Sequence, residues 1–424
     1  MLVILSDLHF TDETIARGEN IPARAFDYLV DDLRGIIENS DENGARRNAI
    51  QDVEVLLLGD VFDGLRSAKW QGEVMPWSEP NPEMEARVNE VLEGVCTANA
   101  GAFAKLRGLK DSLGLPADRV RLRYVAGNHD RTVNLFDSTR AKAIEALGLE
   151  APEFDAGKQF PTEYRSREYN VIARHGNQFD SLNWGGDFST AGLGEAVVIK
   201  LINGFPENLR EKLAEEGPRG EEVLRRIQEL DHVRPLWAVP RWVRGVVEEI
   251  GEPGLRARVQ EAWRESVKEF LESYLVRKLV GGFRPWKPLW WLRLLLKAPW
   301  GAAERVLHWA WARKMLDKNN RNFVKLAAED RETVSGTGGP VDLVVYGHTH
   351  IPRQVPLDVR GRRRLVYFNS GTWRKTVRPA EHGEKGDRDF IPWEVMSYLV
   401  LYREGENRGY RFEMWDGMRG KDAH

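Results

Sequence analysis

Five short blocks of residues along this 424-residue chain combine side-chain types that bind metal ions. The residues that carry the imidazole, carboxylate or carboxamide groups are Asp7, His9, Asp60, Asp63, Asn128, His129, Asp130, His175, His348 and His350. Residues two apart on an extended chain point the same way. The pair Asp7 and His9 can therefore turn two ligands toward one ion, and so can the pair His348 and His350. The blocks predict a metal site if the fold brings them together.

Each block on its own also has an ordinary structural explanation. An Asp that follows a strand often caps the next helix, and Asn and Gly are common turn residues. A lone histidine in a loop is usually solvated. Five such blocks in succession are not explained by caps and turns, so we interpret them as parts of one site.

The elements that must position these blocks are short apolar runs, each directly before a block. Aliphatic and β-branched residues that continue without alternation predict buried strands. The predicted strands are 2–5, 53–58, 120–126, 169–173, 341–346 and 364–368, with a hairpin from 395–403 and 410–415. The predicted helices between the first four strands are 25–38, 83–110 and 139–147. This alternation indicates a layered α/β fold, in which ligands gather outside the carboxyl ends of the strands.

The chain between residues 186 and 335 has a different pattern. It is helical in periodicity and broken by Pro and Gly, and we interpret it as an insertion between two strands of the core. A shorter excursion is predicted at 64–82. The predicted organisation is a core in two parts, 1–185 and 336–424, around a helical, Trp-rich insertion at 186–335.

Composition limits the class of protein. Apolar residues make up 42% and charged residues 30%, and the net charge is −3, which gives no general attraction to nucleic acid or anionic membranes. Cys96 is the single cysteine, so a disulfide within the chain is excluded and a reducing cytosol is expected. The sequence has no run of roughly 20 apolar residues and no signal-peptide pattern. We expect a cytoplasmic protein, peripheral at most at the inner face of the membrane.

The ordered blocks D-x-H, G-D-x-x-D, G-N-H-D, H-G and G-H-x-H resemble the calcineurin-like metallophosphoesterases, a family of two-metal phosphate-ester hydrolases. The resemblance covers residues 1–185 and about 336–373. It implies a four-layer αββα sandwich with two metals at one edge, here with a large helical insertion. Periodicity alone predicts only the layered α/β fold.

The resemblance also implies a role for each residue. The implied ligands are Asp7, His9 and His350 for one metal, Asn128, His175 and His348 for the other, and Asp60 between the two. His129 would face the substrate as an acid, Asp130 would orient its ring, and Asp63 would support the site without binding metal. A hydroxide activated by the two metals would attack phosphorus. Mixed nitrogen and oxygen ligands suit Mn, Fe or Zn, and Mn is the expected metal.

Three functions are compatible with the resemblance. The first is hydrolysis of a phosphomonoester, phosphodiester or pyrophosphate, on a small, nucleotide-linked or lipid-linked substrate. The bacterial UDP-2,3-diacylglucosamine pyrophosphatases are similar in carrying a helical lid before G-H-x-H, although they usually have Arg where this chain has His129. The second is a DNA nuclease, but the near-neutral charge lacks the expected basic footprint. The third is a non-catalytic scaffold, against which the complete ligand set argues.

Residues 283–314 are rich in Trp, Lys and Arg and contain a single acid, Glu304. Pro288 can open a helix that Pro299 should end, which is too short to span a bilayer. This composition is typical of segments that lie at a membrane interface, and also of packed or subunit-contacting helices. A lid facing anionic lipid and a packing or homo-oligomer contact are the two interpretations.

Overall fold

The computed structural model describes the chain except at residues 16–17, 19, 43–44, 47–48, 71, 235–237, 281–322, 331–338, 340, 361–362, 381–389, 418 and 421–424. The Trp-rich segment 283–314, on which a lid or an oligomer contact is predicted, therefore lies outside the described residues.

Two five-stranded sheets form the centre of the fold. The strands are β1 (Leu2–Leu5), β2 (Asp41–Glu42), β3 (Ala45–Arg46), β4 (Val53–Leu58), β5 (Val120–Val125), β6 (Glu163–Ser166), β7 (Val171–Arg174), β8 (Leu343–Tyr346), β9 (Arg353–Arg360), β10 (Arg363–Asn369), β11 (Thr376–Pro379), β12 (Phe390–Glu394), β13 (Ser397–Leu401), β14 (Phe412–Asp416) and β15 (Arg419–Gly420). The predicted strands and the terminal hairpin are confirmed, with ends that agree to within two residues.

The first sheet has the order β14-β13-β1-β4-β5. Its strands β1, β4 and β5 are parallel, and β13 joins β1 in the antiparallel sense. The second sheet has the order β6-β7-β8-β10-β9, with a parallel centre and antiparallel edges. The edge strands β6 and β9 are not predicted from the sequence. β6 is polar, and β9 carries apolar residues only at alternate positions, with Pro356 among them.

The two sheets pack face to face. Side chains such as Ile4 and Leu58 from the first sheet share one apolar cluster with Val171 and Val345 from the second. These residues are fully buried, which explains why their strands read as unbroken apolar runs.

The helices are α1 (Arg24–Glu38), α2 (Pro82–Ala98), α3 (Ala100–Arg107), α4 (Leu109–Ser112), α5 (Asp137–Leu147), α6 (Leu193–Val197), α7 (Gly204–Leu213), α8 (Gly217–Gln228), α9 (Val239–Glu249), α10 (Pro253–Glu272) and α11 (Tyr274–Val280). The helix predicted over 83–110 is in fact three helices. It breaks at Asn99, whose side-chain amide donates to the carbonyl oxygens of Val95 (2.8 Å) and Thr11 (2.9 Å), and again at Gly108.

Helices cover the outer faces of both sheets. Phe26 of α1 and Phe103 of α3 pack in one cluster with Val55 of the first sheet. Phe323, in the helical residues 323–329, packs with Val344 of the second sheet. The protein is thus a mixed α/β fold with two mixed sheets, compatible with the four-layer sandwich expected from the sequence.

The described part of the 186–335 segment is helical, with α6 to α11 around a core of their own that includes Phe205, Trp242 and Trp263. The segment is tied to the α/β core beside the strand ends. Val233 forms a β-bridge with Val377, and the Arg234 amide donates to the Val377 carbonyl oxygen at 2.8 Å. Within the described ranges, no helix is both long enough and apolar enough to cross a bilayer.

Candidate metal centre

The loops after the central strands are hydrogen-bonded to one another. The amide of Asp7 donates to the Gly59 carbonyl oxygen at 3.0 Å, and the amide of His9 donates to the Asp60 carbonyl oxygen at 2.9 Å. In the second sheet, the Gly347 amide donates to the His175 carbonyl oxygen at 3.0 Å. The two sheets are linked at this edge as well, because the His348 amide donates to Asp7 Oδ2 at 3.0 Å. The carboxyl ends of strands from both sheets therefore meet, as parallel strands in open sheets allow.

Asp7, His9 and His350 form a first group of potential ligands. His350 Nε2 lies 3.1 Å from Asp7 Oδ1 and 2.9 Å from His9 Nε2. All three side chains are buried. One nitrogen of each ring and one carboxylate oxygen therefore converge on a single point.

A second group contains Asp60, His175 and His348. His175 Nε2 lies 3.1 Å from Asp60 Oδ2 and 3.2 Å from Asn128 Oδ1. Asp60 Oδ2 is also 3.7 Å from His9 Nε2, so this carboxylate lies between the two groups. The structure therefore brings together all seven residues that the sequence predicts as metal ligands.

Three of the four imidazoles that could bind metal have an oxygen acceptor beside one of their two ring nitrogens. His9 Nδ1 is 3.1 Å from Asp63 Oδ2, His175 Nδ1 is 3.0 Å from the Leu58 carbonyl oxygen, and His348 Nε2 is 3.0 Å from Asp180 Oδ2. An acceptor at one nitrogen fixes the proton there and leaves a lone pair on the other. Metal-binding histidines are held in this way.

The charges and donors of the cluster fit a pair of divalent cations. Oδ1 of Asp7 is buried and faces the ring nitrogens of His350 (3.1 Å) and His9 (3.7 Å). Burial by itself raises the pKa of Asp7, but His350 and His9 outweigh it and hold the pKa well below the usual range. The pKa of Asp60 is lowered for the same kind of reason, because His175 and His129 outweigh burial. The mixed N/O donors suit Mn, Fe or Zn.

Two glycines in the blocks are required by close approach. A Cβ atom on Gly127 would lie 2.2 Å from Asp60 Oδ1, and one on Gly59 would lie 2.5 Å from His175 Nδ1. Gly59 also has a positive φ of 82°, which residues with a side chain rarely adopt. The glycine before Asp60 and the glycine before Asn128 are thus explained by the packing of the site.

Five of the potential ligands have left-handed backbone conformations. Their φ angles are 56° for Asp7, 47° for His9, 53° for Asp60, 66° for His348 and 58° for His350. Residues other than Gly are uncommon in this region, although Asp, Asn and His are the better tolerated. Backbone strain of this kind gathers at functional sites, where the surrounding structure enforces it.

His129 lies at the open side of the cluster. Its side chain is 15% exposed, compared with 3% for His9, and its Nδ1 is 2.7 Å from Asp63 Oδ1. Burial lowers the pKa of His129, but Asp63 and Asp60 outweigh it and raise the pKa to about 10. These carboxylates therefore favour the charged form of the ring, and one nitrogen of the ring lies within 4.8 Å of the potential ligand atoms of His9 and Asp60.

The role predicted for Asp130 is wrong. Its carboxylate accepts hydrogen bonds from the backbone amides of Asp60 (2.6 Å), Phe62 (2.8 Å) and Gly127 (2.9 Å). It is Asp63 that bonds the His129 ring. Asp130 instead ties the loop after β4 to the loop after β5 through these hydrogen bonds.

Several charged residues near the cluster are not predicted from the sequence. They are Asp180, which bonds His348, the buried residues Arg66, Asp231 and Arg374, and the partly buried Arg234. Asp180 lies in the same block as His175, five residues later, which is a usable signal. Asp231 and Arg234 belong to the helical segment, and nothing in their local sequence indicates a site.

No family model matches the chain, and a search of curated proteins finds no significant match. The geometry of the cluster and the resemblance of its sequence blocks are therefore the grounds on which a function is proposed.

Proposed function

We propose that this protein is a two-metal hydrolase of phosphate esters, of the calcineurin-like metallophosphoesterase type. The observation that carries the proposal is the position of Asp60. Its carboxylate lies between two groups of ligands, one with His9 (3.7 Å) and one with His175 (3.1 Å). A buried carboxylate between two sets of imidazoles could hold two metal ions side by side, as two-metal phosphoester hydrolysis needs.

The residues present fit the two cations that this chemistry needs. Asp7, His9 and His350 would hold one, Asn128, His175 and His348 the other, and Asp60 both. When bound, the metal pair supplies a water of lowered pKa and neutralises charge on the phosphoryl oxygens. Mn²⁺ is the metal we expect to support activity.

The protein's own part in the reaction centres on His129. Asp63 accepts the Nδ1 proton of His129 and stabilises the charged ring. Nε2 then donates its proton to the oxygen that leaves phosphorus, which in other enzymes accelerates the reaction by about 10²–10⁴-fold. Asp130 fixes the two loops that carry Asp60 and Asn128, so that the side-chain oxygens of both residues face the same point.

An activity screen of the purified full chain tests the proposal. The substrates are bis-p-nitrophenyl phosphate, p-nitrophenyl phosphate, single-stranded DNA and UDP-linked sugars, each with Mn²⁺ and with a chelator. We expect Mn²⁺-dependent hydrolysis of at least one substrate and about two metals per chain by elemental analysis. Turnover that survives complete removal of metal, or a chain that binds none, would overturn the proposal.

A further inference from the structure

Arg131 comes directly after the block 127–130 and is buried in spite of its charge, with 7% of its side chain exposed. Its Nη1 group donates to the Ser189 carbonyl oxygen at 3.0 Å, and its Nη2 group donates to the Pro76 carbonyl oxygen at 2.6 Å. Nε and Nη2 also donate to the two carboxylate oxygens of Glu195, the second at 2.7 Å. These four hydrogen bonds hold the guanidinium in one orientation.

The partners of Arg131 come from two segments that are additions to the sheets. Pro76 belongs to the excursion at 64–82. Ser189 and Glu195 belong to the start of the helical segment, with Glu195 in α6. Buried charges are costly unless they are paired, and a carboxylate that accepts from two guanidinium nitrogens is a strong pair. Because only 6% of the Glu195 side chain is exposed, a buried ion pair ties the loop after β5 to the helical segment.

The turn that Arg131 closes carries Asn128. The Arg131 amide donates to the Asn128 carbonyl oxygen at 3.4 Å, and both side chains line the same cleft. Of the seven potential ligands, only Asn128 lies in this turn. Asp60 meets the turn through the His129 amide, which donates to Asp60 Oδ1 at 2.8 Å, but Asp130 holds the Asp60 amide at 2.6 Å without help from Arg131. A shift of Arg131 should therefore displace Asn128 before any other potential ligand.

We propose that Arg131, fixed by Glu195, is a positioning residue for Asn128, so that the helical segment sets the affinity of one of the two metal positions. This inference deepens the proposed function and rests on it. The position affected is the one that Asn128 would share with His175 and His348. The first group of potential ligands takes no residue from this turn and should keep its metal affinity.

The test uses the full chain, freed of metal and titrated with Mn²⁺. Competition with a chelator measures the two affinities, and electron paramagnetic resonance distinguishes a single Mn²⁺ ion from a coupled pair. The double variant Arg131→Met with Glu195→Met replaces both charges with apolar groups, a change that is often neutral for stability. It should weaken the binding of one Mn²⁺ ion by about 10–100-fold, as loss of a supporting contact does, and leave the other within about threefold. Glu195→Gln, which keeps the shape and one acceptor oxygen, should weaken the same ion by about tenfold.

Glu406→Gln is the matched control. Glu406 is 6% exposed and accepts from the Met1 amino group and from Arg403 Nη1, both at 3.0 Å, at the start of β1 and not at its end, where Asp7 lies. This variant should lower the unfolding temperature and leave both Mn²⁺ affinities unchanged. Equal weakening of both Mn²⁺ ions, no weakening in either test variant, or the same weakening in the control would overturn the inference. These outcomes leave the two-metal proposal standing, which fails instead if the wild type binds no metal.

Discussion

Asp63→Asn is the substitution whose effect can be worked out most fully from the structure. One carboxylate oxygen of Asp63 accepts from His129 Nδ1 (2.7 Å) and the other accepts from His9 Nδ1 (3.1 Å). Asparagine has the same shape but a single acceptor oxygen, and its amide group can only donate. One of the two rings must therefore lose its acceptor.

Both possible losses have a defined size. If His9 loses its acceptor, its proton can move to Nε2, the atom that should bind metal, and loss of such a supporting contact typically costs 10–100-fold in metal affinity. This corresponds to about 1.4–2.8 kcal/mol. If His129 loses its acceptor, the pKa of its ring falls from about 10 toward the ordinary value, because Asp63 is the main group that raises it against burial. With a pKa near the ordinary value of about 6.5, about a quarter of the rings are protonated at pH 7, so kcat at that pH should fall by about fourfold.

The assay separates the two cases. Mn²⁺ affinity is measured by competition with a chelator, and kcat on bis-p-nitrophenyl phosphate is measured at saturating Mn²⁺. Asp155→Asn is the matched control, since this carboxylate is about half exposed and lies 4.0 Å from Lys158. If Asp63→Asn keeps both the Mn²⁺ affinity and kcat within threefold of the wild type, Asp63 does not orient these rings and the reasoning is refuted.

Three further predictions follow from the same geometry. Asp60→Asn should lose at least one metal and nearly all turnover, because the charge between the two ligand groups is removed; two metals per chain with wild-type rate would contradict it. His129→Ala should keep both metals while kcat drops by about 10²-fold or more; loss of metal would make His129 a ligand. Burial lowers the pKa of His175, but Asp60 outweighs it and raises the pKa to about 9. The metal-free ring is therefore protonated at pH 7, metal binding should release protons, and affinity should rise with pH up to about 9. Calorimetry in buffers of different ionisation enthalpy measures this release, and an enthalpy independent of buffer would count against it.

Much of the central fold is predictable from local sequence. The runs LVIL and VEVLLL are buried on both faces, so their apolar character is unbroken and their ends are clear. The edge strand β6, with the sequence EYRS, is half-buried and polar, and carries no such signal. The helix predicted over 83–110 breaks at Asn99, whose side chain contacts Thr11, 88 residues away in the chain.

The ligand positions are predictable because each lies within four residues of the end of a strand. The supporting contacts are not. Asp63 and Asp130 follow two neighbouring strands, and the sequence does not indicate which carboxylate turns toward His129 and which turns toward the backbone. Arg234 reaches His350 from 116 residues away, and only the packing of the helical segment on β11 places it there.

The left-handed backbone at Asp7, His9, Asp60, His348 and His350 has a consequence for how this chain can change over time. Each such residue costs of the order of 1–3 kcal/mol at the strained end of the range. Natural selection for folding alone would let these positions drift toward glycine or asparagine, which adopt this conformation more readily. If selection for the function of this site were lost, substitutions would accumulate at these five positions, and the thermal stability of the chain should rise. The imidazole and carboxylate groups at these five positions therefore lower the folding stability of the chain. We infer that they are kept for the function of the site.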